Sequence, residues 1–210
     1  VEYLPPEGAA YRVLNIGGVH GDETAGVEAV YRMMLECRKE PPSAVGMDFI
    51  LCANPWGYRR DRRENRERID LNRDFRDLAS QEARIIDAYL KGRTYDLVVD
   101  HHENRYADGC SIIAHDESVR PALAAIIEEL PQYAIAKKLP KVDDYAKGIT
   151  IIHPGAGKAF SQYAAIKLCG PKRSFVIETP TSWELEKRVR CQLDLERKLE
   201  AITLRPAVRP

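Results

Sequence analysis

The sequence predicts an α/β fold with a mixed, largely parallel central sheet and helices on both faces, because short apolar runs alternate with stretches of helical spacing. Two further observations fit that class. The 210 residues suit one domain, and a chain of that length can bury about 70% of its unfolded surface. Hydrophobic residues at 44% and charged residues at 30% are ordinary for a globular protein, and no internal repeat or low-complexity linker divides the chain. A single domain over residues 1–210 is therefore expected.

Taken in order, Tyr11 to Ile16 is a β-prone run that Gly17-Gly18 closes. Thr24 to Cys37 has helical spacing, with Val27, Val30, Tyr31 and Met34 along one side. Pro41-Pro42-Ser43 is a connection, and Met47 to Ala53 reads as a buried strand. Asn54 to Arg76 is dense in charge and lacks a core period, which predicts a long loop. Helical spacing returns from Ser80 to Leu90, followed by a strand over Tyr95 to Asp100. A further strand is expected at Gly109 to Ala114 and a helix at Val119 to Leu130. Residues 131–157 carry no clear period. Phe160 to Leu168 reads as helical, Ser174 to Ile177 as an apolar strand, and Trp183 to Ile202 as a long amphipathic helix.

Composition excludes several classes of function. Lys+Arg and Asp+Glu both number 32, so bulk charge gives no support to nucleic-acid binding. The longest apolar run, Ala122 to Ile127, is far too short to span a bilayer. The five cysteines are odd in number, widely spaced and without a CxxC pair. They argue against a disulfide scaffold or a cysteine zinc finger and fit a reducing compartment. Nothing in the first twenty residues resembles a leader, so a cytoplasmic location is expected.

Unusual polar residues gather where the strands end, which in such sheets is where ligands bind. After the first strand come His20 and Glu23, three apart, a spacing that can aim an imidazole and a carboxylate at one ion. The same residues also fit an ordinary helix start, with Asp22 or Thr24 capping and Glu23 favoured by the helix dipole. Asp100-His101-His102-Glu103 follows the apolar Leu97-Val98-Val99. A third ligand from here would leave a coordination position open for water. Adjacent strand residues point oppositely, so only one of the two histidines should reach an ion.

Between these lie Asn54-Pro55-Trp56-Gly57, Arg63-Glu64-Asn65 and Asp70-Leu71-Asn72-Arg73, with eight arginines against five acids over residues 59–76. Arginine suits bidentate capture of a carboxylate and stabilisation of an oxyanion, although Arg59, Arg60, Arg66 and Arg68 read as solvated charge. Glu178 ends the apolar run Phe175-Val176-Ile177, where a carboxylate could serve as a general base or merely precede the capping residues Thr179, Thr181 and Ser182. Gly155 to Ala159 hints at a phosphate loop but lacks its leading glycine and its Ser/Thr. His115 and His153 read as surface or structural histidines, and Cys110 as a small buried residue.

In this order the clusters resemble the zinc carboxypeptidase superfamily, which includes carboxypeptidases, murein-peptide amidases and the succinylglutamate desuccinylase/aspartoacylase branch. The family pattern HxxE, NPxG, Arg-x-Asn, DLNR, DxH and a strand ending in Glu is met by His20–Glu23, Asn54–Gly57, Arg63–Asn65, Asp70–Arg73, Asp100–His102 and Ile177-Glu178. The resemblance runs from about residue 11 to 180 and implies a zinc carboxypeptidase-like fold. It implies that His20, Glu23 and His102 hold one Zn2+ per chain, the DxH pattern selecting His102 over His101. It further implies that Glu178 is the general base, that Arg63 stabilises the oxyanion, and that Asn72 and Arg73 clamp a free substrate carboxylate. Asp70 and Asp100 become candidates for orienting the ligand imidazoles.

The implied function is metal-assisted hydrolysis of an amide next to a free carboxylate, in a small peptide or an N-acyl amino acid. The ten-residue step from Arg63 to Arg73 resembles the carboxypeptidase branch. The His-Gly-Asp-Glu opening and compact length suit the alternative, an N-acyl amino acid deacylase of the desuccinylase/aspartoacylase type. Many carboxypeptidases carry a substrate-contacting tyrosine upstream of the base; Tyr145 and Tyr163 are the tyrosines in the matching interval, and neither lies in a recognisable motif. Only 75 residues separate His102 from Glu178, so the specificity loops must be trimmed. His101 and Glu103 have no role in this reading.

Overall fold

The expected alternation of strands and helices builds one eight-stranded sheet in the computed structural model, which describes residues 2–3, 8–137, 145–152, 160, 163, 167 and 174–204. Its centre is four parallel strands in the order β3 (Val45–Ile50), β2 (Tyr11–Gly17), β4 (Leu97–Asn104) and β8 (Ser174–Pro180). The short β1 (Glu2–Tyr3) adds antiparallel to β3. Beyond β8 lie β5 (Ser111–Ala114), antiparallel to it, then β7 (Ile149–Ile151) and β6 (Tyr145–Ala146).

Side chains alternate between the two faces of each strand, and both faces are covered. Val13, Leu97 and Val99 pack with Ala29 and Val30 of α1 (Thr24–Lys39) and with Leu195 and Leu199 of the last helix, α6 (Leu185–Thr203). The intervening Leu14, Ile16 and Val98 join Leu71 of α3 (Leu71–Asp74), Phe75, and Ile86 of α4 (Gln81–Leu90) on the opposite face. Burial on both faces explains why these strands read as continuous apolar runs. Ser80 caps α4 by accepting from the Ala83 amide at 3.1 Å. The helix expected after residue 119 is α5 (Arg120–Glu128), entered through a single 3-10 turn at Glu117–Val119. Among the described residues no helix is long and apolar enough to cross a membrane.

Three expectations need correction. α1 turns Ala25, Gly26, Ala29, Val30, Met33 and Met34 inward, whereas Tyr31 is 44% exposed. The helix lies so close to the sheet that a Cβ on Gly26 would stand 2.5 Å from the His101 carbonyl oxygen, so small residues set the buried side. The expected loop at 54–76 contains two single-turn helices, α2 (Pro55–Tyr58) and α3. Finally, β4 and β8 extend to Asn104 and Pro180, so their polar residues are strand residues, not loop residues after the strands. The helix expected at 160–168 is described only at Phe160, Tyr163 and Lys167; His153 and Gly155 to Ala159 lie outside the described residues.

Candidate active site

The loop after β2 and the loop after β3 remain paired beyond their strands, through Ala53 N to Gly17 O at 2.9 Å and Asn54 N to Gly18 O at 2.8 Å. This carries His20 against α2. A Cβ on Gly21 would lie 2.2 Å from the Gly57 carbonyl carbon, so only glycine fits between His20 and the helix behind it. Asn54 caps α2 by accepting from Gly57 N at 2.9 Å, while its Nδ2 donates to the Arg63 carbonyl at 3.1 Å. Asn65 is buried and accepts from the amides of Glu67 and Ile69 at 3.0 and 2.9 Å. The NPxG and Arg-x-Asn segments thus act as a scaffold that delivers Arg63 and Asp70 to the site.

His20, Glu23 and His102 come together with one candidate ligand atom each, all within 4.8 Å of one another. Glu23 Oε1 is 2.7 Å from His20 Nδ1, and its Oε2 is 2.7 Å from His102 Nδ1. The two Nδ1 atoms are 3.2 Å apart, close to the roughly 3.3 Å expected for two nitrogens on a tetrahedral ion with bonds of about 2.0–2.1 Å. Each imidazole is backed by a carboxylate at its other nitrogen: His20 Nε2 is 3.2 Å from Asp70 Oδ1, and His102 Nε2 is 2.9 Å from Asp100 Oδ2. An Nε2–H donated from His20 to Asp70 turns the His20 Nδ1 lone pair toward the point that His102 Nδ1 also approaches, which suits a cation and fits a divalent metal. All three candidate ligands are buried.

Electrostatics agree with that picture. Burial works to raise the Glu23 carboxyl, but His102 and His20 outweigh it and hold the group well below the usual carboxylate range. Burial opposes charge on His102, yet Asp100 and Glu23 keep its pKa well above that of a free histidine. Surroundings that favour the charged form of His102 in this way have a strong demand for positive charge.

The alternative of an ordinary helix start does not describe Glu23. It occupies the N-cap position of α1 without a capping hydrogen bond, because both oxygens are committed to the imidazoles. The cap comes instead from the neighbouring strand: Glu103 Oε2 accepts from Ala25 N at 2.9 Å, and Glu103 Oε1 pairs with Arg188 of α6 at 2.5 Å. His101 points to the opposite face from His102, with Nδ1 3.2 Å from Gln192 Oε1 and Nε2 3.4 Å from Asn15 Oδ1. Burial pushes its pKa down to about 4, so it is a neutral core histidine. His101 and Glu103, without a role in the sequence reading, join β4 to α1 and α6.

Glu178 is the direct partner of His102 across the β4–β8 pair, and both line a cleft of about 590 Å³. Burial raises the Glu178 pKa against the opposing pull of a hydrogen bond from Asn104. Arg63 also lines the cleft. Its Nη2 is 3.0 Å from Asp70 Oδ2 and its Nη1 3.5 Å from Glu23 Oε1. Asn72 and Arg73 project from α3 into the same space. Asn72 Oδ1 accepts from Phe160 N at 2.7 Å, which leaves its amide nitrogen as the available donor. Arg73 is exposed and has no ion pair among the described residues. All seven sequence-selected residues therefore border one cleft.

Other expectations resolve simply. His115 is buried, with Nδ1 2.9 Å from the Ile152 carbonyl, and Cys110 is buried in the core. Arg59, Arg60, Arg66 and Arg68 are exposed. The Tyr163 hydroxyl donates to Asp87 and does not line the cleft; the Tyr145 side chain is outside the described residues. Sequence reasoning missed Asn104, Arg105 and Tyr106, which line the cleft directly beyond His102. Their position after DxH was the available signal.

Fold and cleft together define the class: the chain has the fold of the metallocarboxypeptidase-like hydrolases. It aligns with a proposed metallopeptidase of Shewanella denitrificans at 20% identity and a TM-score of 0.74, covering 94% of this chain and 77% of that one. A metallo-carboxypeptidase of Pseudomonas aeruginosa, solved with (2-guanidinoethylmercapto)succinic acid, aligns at 16% identity and 0.70 over 96% and 59%. The cell shape determinant Csd4 of Helicobacter pylori aligns at 19% and 0.72 over 98% and 55%. This chain thus spans little more than half the length of the last two. No curated protein matches its sequence. Residues 9–136 match the succinylglutamate desuccinylase/aspartoacylase catalytic domain, and the chain belongs to that family.

Proposed function

We propose that the protein is a zinc-dependent hydrolase, with its site on a single domain, that cleaves an amide bond next to a free carboxylate. The observation that carries this is the convergence of His20 Nδ1 and His102 Nδ1 at 3.2 Å, with Glu23 closing the triangle. Two imidazoles and one carboxylate are a donor set suited to zinc with an open position. When bound, the ion supplies Lewis acidity and lowers the pKa of water toward about 7.

The protein's own groups do the rest. Glu178, kept in a buried site that raises its proton affinity, takes the proton of the attacking water and hands it to the leaving amine. Arg63 stabilises the oxyanion; loss of such a donor costs about 100- to 1000-fold in rate. Asn72 and Arg73 bind the substrate carboxylate and so fix which amide faces Glu178. The ten-residue step from Arg63 to Arg73 resembles the carboxypeptidase branch, and that resemblance supports a peptide substrate that loses its C-terminal residue.

A second reading, an N-acyl amino acid deacylase, is favoured by the family match over 9–136. Both reactions release an amino acid with a free carboxylate, so one clamp serves either. The test is hydrolysis of a blocked dipeptide against N-succinyl and N-acetyl acidic amino acids, with zinc supplied. Cleavage of the dipeptide supports the first reading. Cleavage of the acyl amino acids alone replaces it with the second, and turnover of neither class removes both.

A further inference from the structure

We propose that Asn104 is a positioning residue that holds one oxygen of Glu178 and leaves the other for the reacting proton; this rests on Glu178 being the base. Asn104 is the last residue of β4 and lines the cleft two positions beyond His102. Its Nδ2 donates to Glu178 Oε2 at 2.9 Å. Its Oδ1 accepts from the Tyr106 amide at 3.0 Å, and that bond decides which way the side-chain amide faces. With the oxygen fixed on a backbone N–H, only the NH2 end can meet the carboxylate.

The backbone holds the residue equally well. Asn104 pairs with Pro180 at the end of the β4–β8 ladder, and its carbonyl accepts from the Thr181 amide at 3.4 Å. Asn104 and Glu178 are therefore carried by two strands locked in register, with little freedom to drift apart. A carboxylate at the end of a flexible side chain can present either oxygen in many directions. A donor fixed on Oε2 selects one rotamer and aims Oε1, and a general base must lie within hydrogen-bond reach of the proton it removes. Asn104 touches no reacting atom in this arrangement and acts through Glu178.

The experiment uses the zinc-loaded protein and four forms: wild type, Asn104→Ala, Asn104→Asp and Glu178→Gln, together with the Asn104→Ala/Glu178→Gln double variant. Asn104→Asp keeps an acceptor for the Tyr106 amide, so the turn is retained while the donor is replaced by a second carboxylate. The expected result is a fall in kcat of about 10- to 100-fold for both Asn104 variants, a part of the roughly 100- to 10,000-fold that a well-placed general base contributes. KM and zinc content stay unchanged, and the double variant is no slower than Glu178→Gln. NMR gives a readout independent of turnover: the Asn104 side-chain NH2 signal, assigned by its loss in Asn104→Ala, shifts when Glu178 becomes Gln. Wild-type kcat in Asn104→Asp, or an NH2 signal indifferent to Glu178→Gln, overturns the role of Asn104 alone. Full turnover in Glu178→Gln instead removes the base assignment, and the positioning role with it.

Discussion

His102 on β4 and Glu178 on β8 are direct partners in a parallel strand pair. The side-chain period of a strand is two, so residues in register share a face, and a slip of one residue would turn Ile177 or Thr179 toward the cleft in place of Glu178. The register is held from behind by α6: Gln192 Nε2 donates to both the His102 carbonyl and Thr179 Oγ1, each at 3.0 Å. A buried amide on a helix thereby sets the separation of a candidate ligand and the candidate base.

The two adjacent histidines should separate cleanly on mutation. His102→Ala is expected to abolish stoichiometric zinc binding, whereas His101→Ala keeps the metal. The structure adds a cost for the second variant: leaving Gln192 and Asn15 short of a buried partner destabilises by about 1–3 kcal/mol. Metal analysis with denaturant unfolding checks both, and zinc loss in His101→Ala with retention in His102→Ala would mean the wrong histidine was chosen.

Asp70 contacts His20 Nε2 through one oxygen and Arg63 through the other. Asp70→Asn is therefore expected to weaken zinc binding by about 10- to 100-fold and to lower kcat through a less ordered Arg63. Competition with a chromophoric chelator measures the first effect. An unchanged zinc affinity would show that Asp70 does not orient His20.

Arg73→Ala should raise KM about 10- to 100-fold for a substrate with a free carboxylate, the range expected from losing a charge-assisted pair worth roughly 1.5–3 kcal/mol. Arg73→Lys should recover only part of the loss, since lysine lacks the bidentate fork. With the substrate carboxylate amidated, wild type and Arg73→Ala should perform alike. A persistent difference on the amide would place Arg73 outside the clamp.

Away from the site, Glu196 is buried on α6, and burial together with the nearby Glu200 carboxylate raises its pKa well above the ordinary value. The unfolded chain releases this proton near pH 4.3 and the folded chain at a higher pH, so stability falls as pH rises above about 4.3 toward the folded-state pKa. Glu196→Gln should raise the melting temperature near pH 7, with the gain shrinking as pH falls toward 4. Equal pH profiles for the two proteins would contradict a protonated Glu196.

Much of this was legible in sequence because strong local signals coincided with global ones. The apolar runs of β2, β4 and β8 are continuous because both sheet faces are covered, and the polar ends of β4 and β8 bring His102, Asn104 and Glu178 to the cleft. The opposite orientation of His101 and His102 also follows from strand geometry alone. What could not be read was tertiary. The buried side of α1 is set by how closely Gly26 approaches the His101 carbonyl, which favours small residues over the larger apolar ones that define a sequence period. Glu103 has no role readable in sequence, because its function as the cap of α1 depends on how that helix packs against β4. Asn104 has no motif; its meaning depends on β8 arriving beside it from 74 residues away.

The most direct test of the account is the zinc content of the purified protein after zinc is supplied, measured with its amide-hydrolysing activity before and after chelation. The account predicts about one zinc per chain and hydrolysis that chelator abolishes and zinc restores, with Glu178→Gln binding zinc equally but turning over about 100- to 10,000-fold more slowly. A protein that binds no zinc under these conditions, or whose hydrolysis survives its removal, would contradict it.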